Sequence, residues 1–128
     1  MMSSSVGKEV VDALEEFMGR VFPDIVGALV VRRDGLPVAF KVGGEFNAKV
    51  VSAMVAIARS TIDRLGAELG LGGESVISVS QYTRNTLLVA PLSKDLILTA
   101  IAKPDPNLGL VLLEIDKLKD KLTKILIE

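Results

Sequence analysis

Gly27-Ala28-Leu29-Val30-Val31-Arg32-Arg33-Asp34-Gly35-Leu36-Pro37-Val38-Ala39 is the stretch that decides the fold. Residues 25–31 form an unbroken apolar run, the pattern of a strand covered on both faces. Asp34-Gly35 then supplies a residue that takes positive φ without a Cβ clash, and this dipeptide between apolar runs is a strong hairpin signal. The second strand alternates, with Leu36, Val38, Phe40 and Val42 expected on one side and Pro37, Ala39 and Lys41 on the other. Pro37 and Lys41 mark it as an edge strand, since each discourages pairing with another chain.

Before the hairpin, Val6, Val10, Ala13, Leu14, Phe17, Met18 and Val21 recur at helical spacing. They predict a first helix over about 6–21, preceded by a loose tail at residues 1–5 and closed by Pro23. Beyond the hairpin, Gly43-Gly44 breaks the chain and a second helix is predicted over about 47–69, ended by Gly70-Leu71-Gly72-Gly73. Three strands follow at about 75–83, 86–92 and 95–103, joined by short turns at Arg84-Asn85 and Lys94-Asp95. Pro104-Asp105-Pro106 stops the last strand and Asn107 is placed to cap a third helix. That helix carries Val111, Ile115, Leu118, Leu122 and Ile125 on one stripe, with Lys117, Lys119, Asp120, Lys121 and Lys124 outside. The order is α-β-β-α-β-β-β-α, an α/β (α+β) sandwich in a single domain over residues 6–128. The first and third helices have one apolar stripe each, which puts them on one sheet face and the second helix on the other.

Composition narrows the chemistry. The 128 residues contain no Cys and no His, which removes disulfides, thiol nucleophiles and the commonest general base and metal ligand. A net charge of −1 generates no field that would gather nucleic acid. The longest uncharged runs are nine residues, against about 20 needed to span a bilayer, so a cytoplasmic protein without membrane insertion is expected. The glycine-rich loop at 70–73 is not a phosphate cradle. Ser75 stands where the dinucleotide pattern needs glycine, and the lone Gly7-Lys8 is followed by Glu9 rather than Ser or Thr. Asp12, Glu15 and Glu16 are expected mostly on the solvent side of the first helix, where nothing sequesters a carboxylate for acid–base work. Arg84 and Arg32-Arg33 sit at hairpin tips, but surface arginines are common and no finger is assigned to them. No catalytic, cofactor-binding or metal-binding residue is expected.

The second helix holds the more informative pattern. Val51, Met54, Ala58, Ile62, Leu65 and Leu69 are expected to face the sheet, and Lys49, Ser52, Arg59 and Asp63 to face solvent. A further stripe, Val50, Ala53, Ile57, Ser60 and Arg64, is more than a monomer needs and suits a partner, with small Ala53 and Ser60 admitting a close helix. The third strand has Ile77, Val79, Gln81 and Thr83 on one side and Val76, Ser78, Ser80 and Tyr82 on the other, with neither Pro nor charge to guard it.

Three segments together resemble the roadblock/dynein-light-chain family: the hairpin at 27–39, the small-residue helix Ala53-Met54-Val55-Ala56-Ile57-Ala58, and Pro106-Asn107-Leu108-Gly109-Leu110-Val111 at the entry to the last helix. The similarity runs over about residues 6–127. The family includes bacterial and archaeal regulators of Ras-like small GTPases. The resemblance implies a five-stranded antiparallel sheet in order 2-1-5-4-3 and a homodimer joined through the second helix and the third strand, at Ile77, Val79 and Gln81. It implies a non-enzymatic adaptor or regulator of a small Ras-like GTPase, without a cofactor. The other readings are a small-molecule sensor domain and a structural dimerisation module of a motor or scaffold complex.

Overall fold

A computed structural model describes residues 4–127. The elements are α1 (Ser4–Arg20), β1 (Ile25–Arg32), β2 (Pro37–Val42), α2 (Ala48–Glu68), β3 (Ser78–Gln81), β4 (Thr86–Pro91), β5 (Leu96–Ala102) and α3 (Leu108–Leu126). The strands form one antiparallel sheet in order β2-β1-β5-β4-β3, so β2 and β3 are its edges. Of the tail expected at 1–5, residues 1–3 lie outside the described residues, and α1 already includes Ser4 and Ser5.

The two faces of the sheet bury different layers. Ala28 and Val30 of β1 and Leu98, Ala100 and Ala102 of β5 point toward α1 and α3. There they meet Val10, Leu14, Phe17, Val111, Ile115, Leu118 and Leu122. The alternate residues, Leu29 and Val31 of β1 and Ile97 and Ile101 of β5, point toward α2 and Val55. Central strands buried on both sides explain why β1 reads as continuous apolar sequence. Asp24 ties the two ends of this core together. Its carboxylate accepts the Asn107 backbone N–H at 2.6 Å and pairs with Lys103 Nζ at 3.0 Å. The Asn107 side chain in turn caps α3 by accepting the Leu110 N–H at 3.2 Å.

The alternation expected along β2 is interrupted. The ladder pairs Val30 with Ala39 but Val31 with Pro37, a bulge that leaves Val38 as the extra residue. Val38 and Ala39 therefore both join the α1/α3 layer. Phe40, opposite Leu29, and Val42, packed against the α2 layer, fall on the other side. The expected common face of Leu36, Val38, Phe40 and Val42 is thus split, because one inserted residue inverts the facing of everything beyond it.

Helix α2 also lies differently from its apolar pattern. Its buried residues are Ser52, Val55, Ala56, Arg59 and Gly66. Met54, Leu65 and Leu69, expected in the core, are 61%, 49% and 64% exposed, and Ala58 is exposed as well. Two features turn the helix this way. Small Ser52, Ala56 and Gly66 share its inner face with Val55 and Arg59, and a Cβ on Gly35 of the β1–β2 turn would come within 3.3 Å of the Ala53 Cα, so hairpin and helix approach closely. The polar residues on that face find partners within the chain: the Ser52 hydroxyl donates to the Ala48 carbonyl at 2.7 Å, and Arg59 enters an ion-pair cluster through Nε and Nη2, its buried Nη1 making no hydrogen bond.

Candidate partner interface

With α2 turned inward on Ser52, Val55 and Arg59, its outward side becomes strongly apolar. Val50 is 58% and Ile57 63% exposed, alongside Met54. Ala53, Ser60 and Arg64 are exposed on the same side, so all five residues of the further stripe face outward. Arg64 pairs with Glu68 at 3.2 Å, one turn on. The residues reassigned from the core, Met54, Leu65 and Leu69, widen this strip, a feature hidden by the assumption that the larger side chains face the sheet. Asn47 starts the helix by accepting the N–H groups of Lys49 and Val50 at 3.0 and 3.2 Å.

Beside the strip, α2 packs chiefly on β1 and β2. The α2 side of the sheet toward β4 is left as an open apolar groove of about 500 Å³, lined by Phe46, Val50, Met54, Tyr82, Leu87 and Ile101. The groove leads to β3, which pairs with β4 alone and is four residues long, shorter than the expected 75–83. Val79 and Gln81 are exposed on this edge. Ile77 lies one residue before the strand and is half-buried against the α1/α3 layer. Val76 and Tyr82, flanking β3, are 74% and 64% exposed.

The segment leading into β3 is held by charge. Arg59, 1% exposed, grips Asp63 with two nitrogens, Nη2 at 3.0 Å and Nε at 3.2 Å. Arg33 from the β1–β2 turn reaches the same carboxylate at 3.0 Å and Glu74 at 3.2 Å. Sequence reading put Arg59 and Asp63 on a solvated face. The signals available were their i, i+4 spacing and a glycine, Gly66, one turn beyond.

The opposite, α1/α3 side carries a polar seam. Lys121 donates to Glu16 at 2.7 Å and Arg20 does so at 2.9 Å. These bonds, the Lys121 one foremost, hold the Glu16 carboxyl down to about 2 from its ordinary 4.5. Among the described residues no group of acidic side chains is arranged to hold a metal ion, and no helix is long and apolar enough to cross a membrane.

The family model for the Roadblock/LC7 domain matches residues 12–102, from α1 to the end of β5. The chain belongs to the Roadblock/LC7 family. It is 31% identical over 98 residues to the uncharacterised protein MJ0310 of Methanocaldococcus jannaschii, a match covering 77% of this chain and 84% of that one. Among solved structures, Myxococcus xanthus MglB superposes with a TM-score of 0.87 at 17% identity, covering 98% of this chain and 92% of that one. A structure described as MglB with tetrameric arrangement gives 0.86 at 21% identity, covering 98% and 93%. At these identities the likeness establishes the fold. Tyr82, just past the end of β3, lines the same groove as Val50 and Met54 of α2.

Proposed function

We propose that this roadblock domain is a non-enzymatic homodimeric adaptor that binds a small Ras-like GTPase and modulates its nucleotide state or its location. The observation that carries the reading is the continuity of three unpartnered features: the apolar strip at Val50, Met54 and Ile57, the groove beside it, and the unguarded edge of β3. A contiguous apolar surface of this kind on a small domain marks a protein–protein contact. An edge strand without Pro or charge is open to pairing. Two copies joined strand to strand would bring both α2 helices onto one side, as a broad platform. Its action is differential binding, since a regulator with equal affinity for both nucleotide states shifts nothing. The family likeness to regulators of Ras-like GTPases favours that class of partner.

The experiment is a calorimetric titration of this protein with Ras-like GTPases loaded with GDP or a non-hydrolysable GTP analogue. Binding that differs between the two states, with no GTP bound or hydrolysed by this protein alone, is the expected result. The groove favours one second reading, a sensor that encloses a small apolar molecule. A ligand retained in native mass spectrometry, together with no binding to any GTPase, would replace the first reading by this one.

A further inference from the structure

Strand β3 is the least supported element of the sheet. It has four residues and one neighbour, and it follows a loop in which Gly70, Gly72 and Gly73 all adopt positive φ. Glycines at such positions give a connection wide conformational latitude. The loop is nonetheless pinned at Ser75, next to Glu74 in its ion pair with Arg33. Its backbone N–H donates to Asp63 Oδ1 at 3.2 Å, and its carbonyl accepts from Arg59 Nη2 at 2.5 Å. Its hydroxyl donates to the Ile77 carbonyl at 3.1 Å. Both partners of the Ser75 backbone stand on α2, and Asp63 is fixed by Arg33, whose Nη2 also donates to the Ser93 carbonyl at 3.3 Å in the β4–β5 turn. Gly66 adds a steric condition, because a Cβ there would collide with the Gly73 carbonyl.

An ion-pair cluster built on one buried arginine and partly exposed partners is poor as a source of stability, since apolar side chains commonly do as well at a buried charge and exposed pairs contribute little. What a two-pronged arginine–carboxylate contact delivers is direction. We propose that Arg59 and Asp63 are positioning residues for the β3 edge: by locking Ser75, three residues ahead of the strand, they fix where and at what angle that edge is presented to a second copy of this chain. The effect on assembly rests on the reading of β3 as the pairing seam; the effect on the order of the edge does not.

Two unlike perturbations of the same contact test this. Arg59→Met/Asp63→Leu removes both charges together, so neither is left buried alone. Gly66→Ala keeps the charges and displaces the loop. Amide hydrogen exchange is followed by mass spectrometry in the peptide 74–82 and, as internal reference, in 96–102. Self-association is measured in parallel by sedimentation. Both variants are expected to lose about tenfold or more protection in 74–82 with 96–102 unchanged. Their dimers are expected to weaken by about tenfold or more. Unchanged protection in 74–82, or an equal loss in both peptides in both variants, overturns the proposal, because the cluster would then be no more than general support for the fold. If the unaltered protein never self-associates, the seam reading fails, and the exchange comparison decides the clamp by the same criteria.

Discussion

Replacing Ile57 by aspartate tests the α2 strip directly. Fully burying an isoleucine side chain stabilises by about 1.5–3 kcal/mol. Ile57 keeps 63% of its surface exposed in the single chain, which leaves about 1–2 kcal/mol to be gained when a partner covers it. A two-fold interface uses the residue twice, so loss of the contact alone costs about 2–4 kcal/mol. Aspartate adds the cost of drying a charge against an apolar surface, bringing the total to at least about 4 kcal/mol, on the order of a thousandfold in Kd. Sedimentation equilibrium from nanomolar to high micromolar protein reads this shift. Leu113→Asp is the control, since Leu113 is 53% exposed on α3, across the sheet from α2, and should leave association unchanged. An unaltered protein that stays monomeric at concentrations on the order of tens of micromolar would refute the reasoning, as would an Ile57→Asp variant that associates as tightly.

Leu118→Ala should destabilise the fold by about 2–5 kcal/mol in denaturant melts, because Leu118 is only 4% exposed. Lys119→Ala, its neighbour on α3, should cost under about 0.5 kcal/mol; equal effects would mean that α3 is turned differently. Acid should weaken the fold in a defined window. Glu16 and Asp24 both have carboxyl pKa values lowered by folding, Glu16 through Lys121 and Arg20, Asp24 through the Asn107 N–H and then Lys103. A lowered pKa contributes stability that is whole above the unfolded-state value and lost as pH falls through the folded one. For Glu16 that window runs from 4.5 down to about 2, so melts of Glu16→Gln should lose the part of the acid slope that the unaltered protein shows there, and less so at high salt, because the pair is exposed.

How much of this was legible in the sequence depended on whether one local signal dominated. The β1–β2 hairpin announced itself through an unbroken apolar run followed by Asp34-Gly35, and α3 through a single clean stripe. The outward strip of α2 was visible as a surplus of apolar positions. The inward face was not, because α2 is apolar on several sides and its orientation is decided by close approach to the β1–β2 turn and by partners for Arg59. Of those partners only Asp63 stands at helical spacing from Arg59; Ser75 lies 16 residues on, beyond α2, and Arg33 lies 30 residues from Asp63 in the β1–β2 turn, separations that no periodicity records. The bulge at Val38 was invisible for a related reason: Val and Ala suit either face, so the alternation remained plausible on paper while the ladder slipped. β3 was overestimated because β-prone sequence at 75–83 extends past the four residues that have a neighbour to pair with.

The bulge has a consequence for stoichiometry. Together with Pro37, and with Lys41 turned toward Glu15 on α1 at 3.7 Å, it spoils the β2 side of the sheet as a template for another strand. A sheet that can be extended at one margin only is used up by a single addition. When two such margins meet, each copy has spent its sole point of growth and turns a blunted border outward. With the β3 edges paired as proposed, the joined sheet would have ten strands and no route along that direction to a fibre.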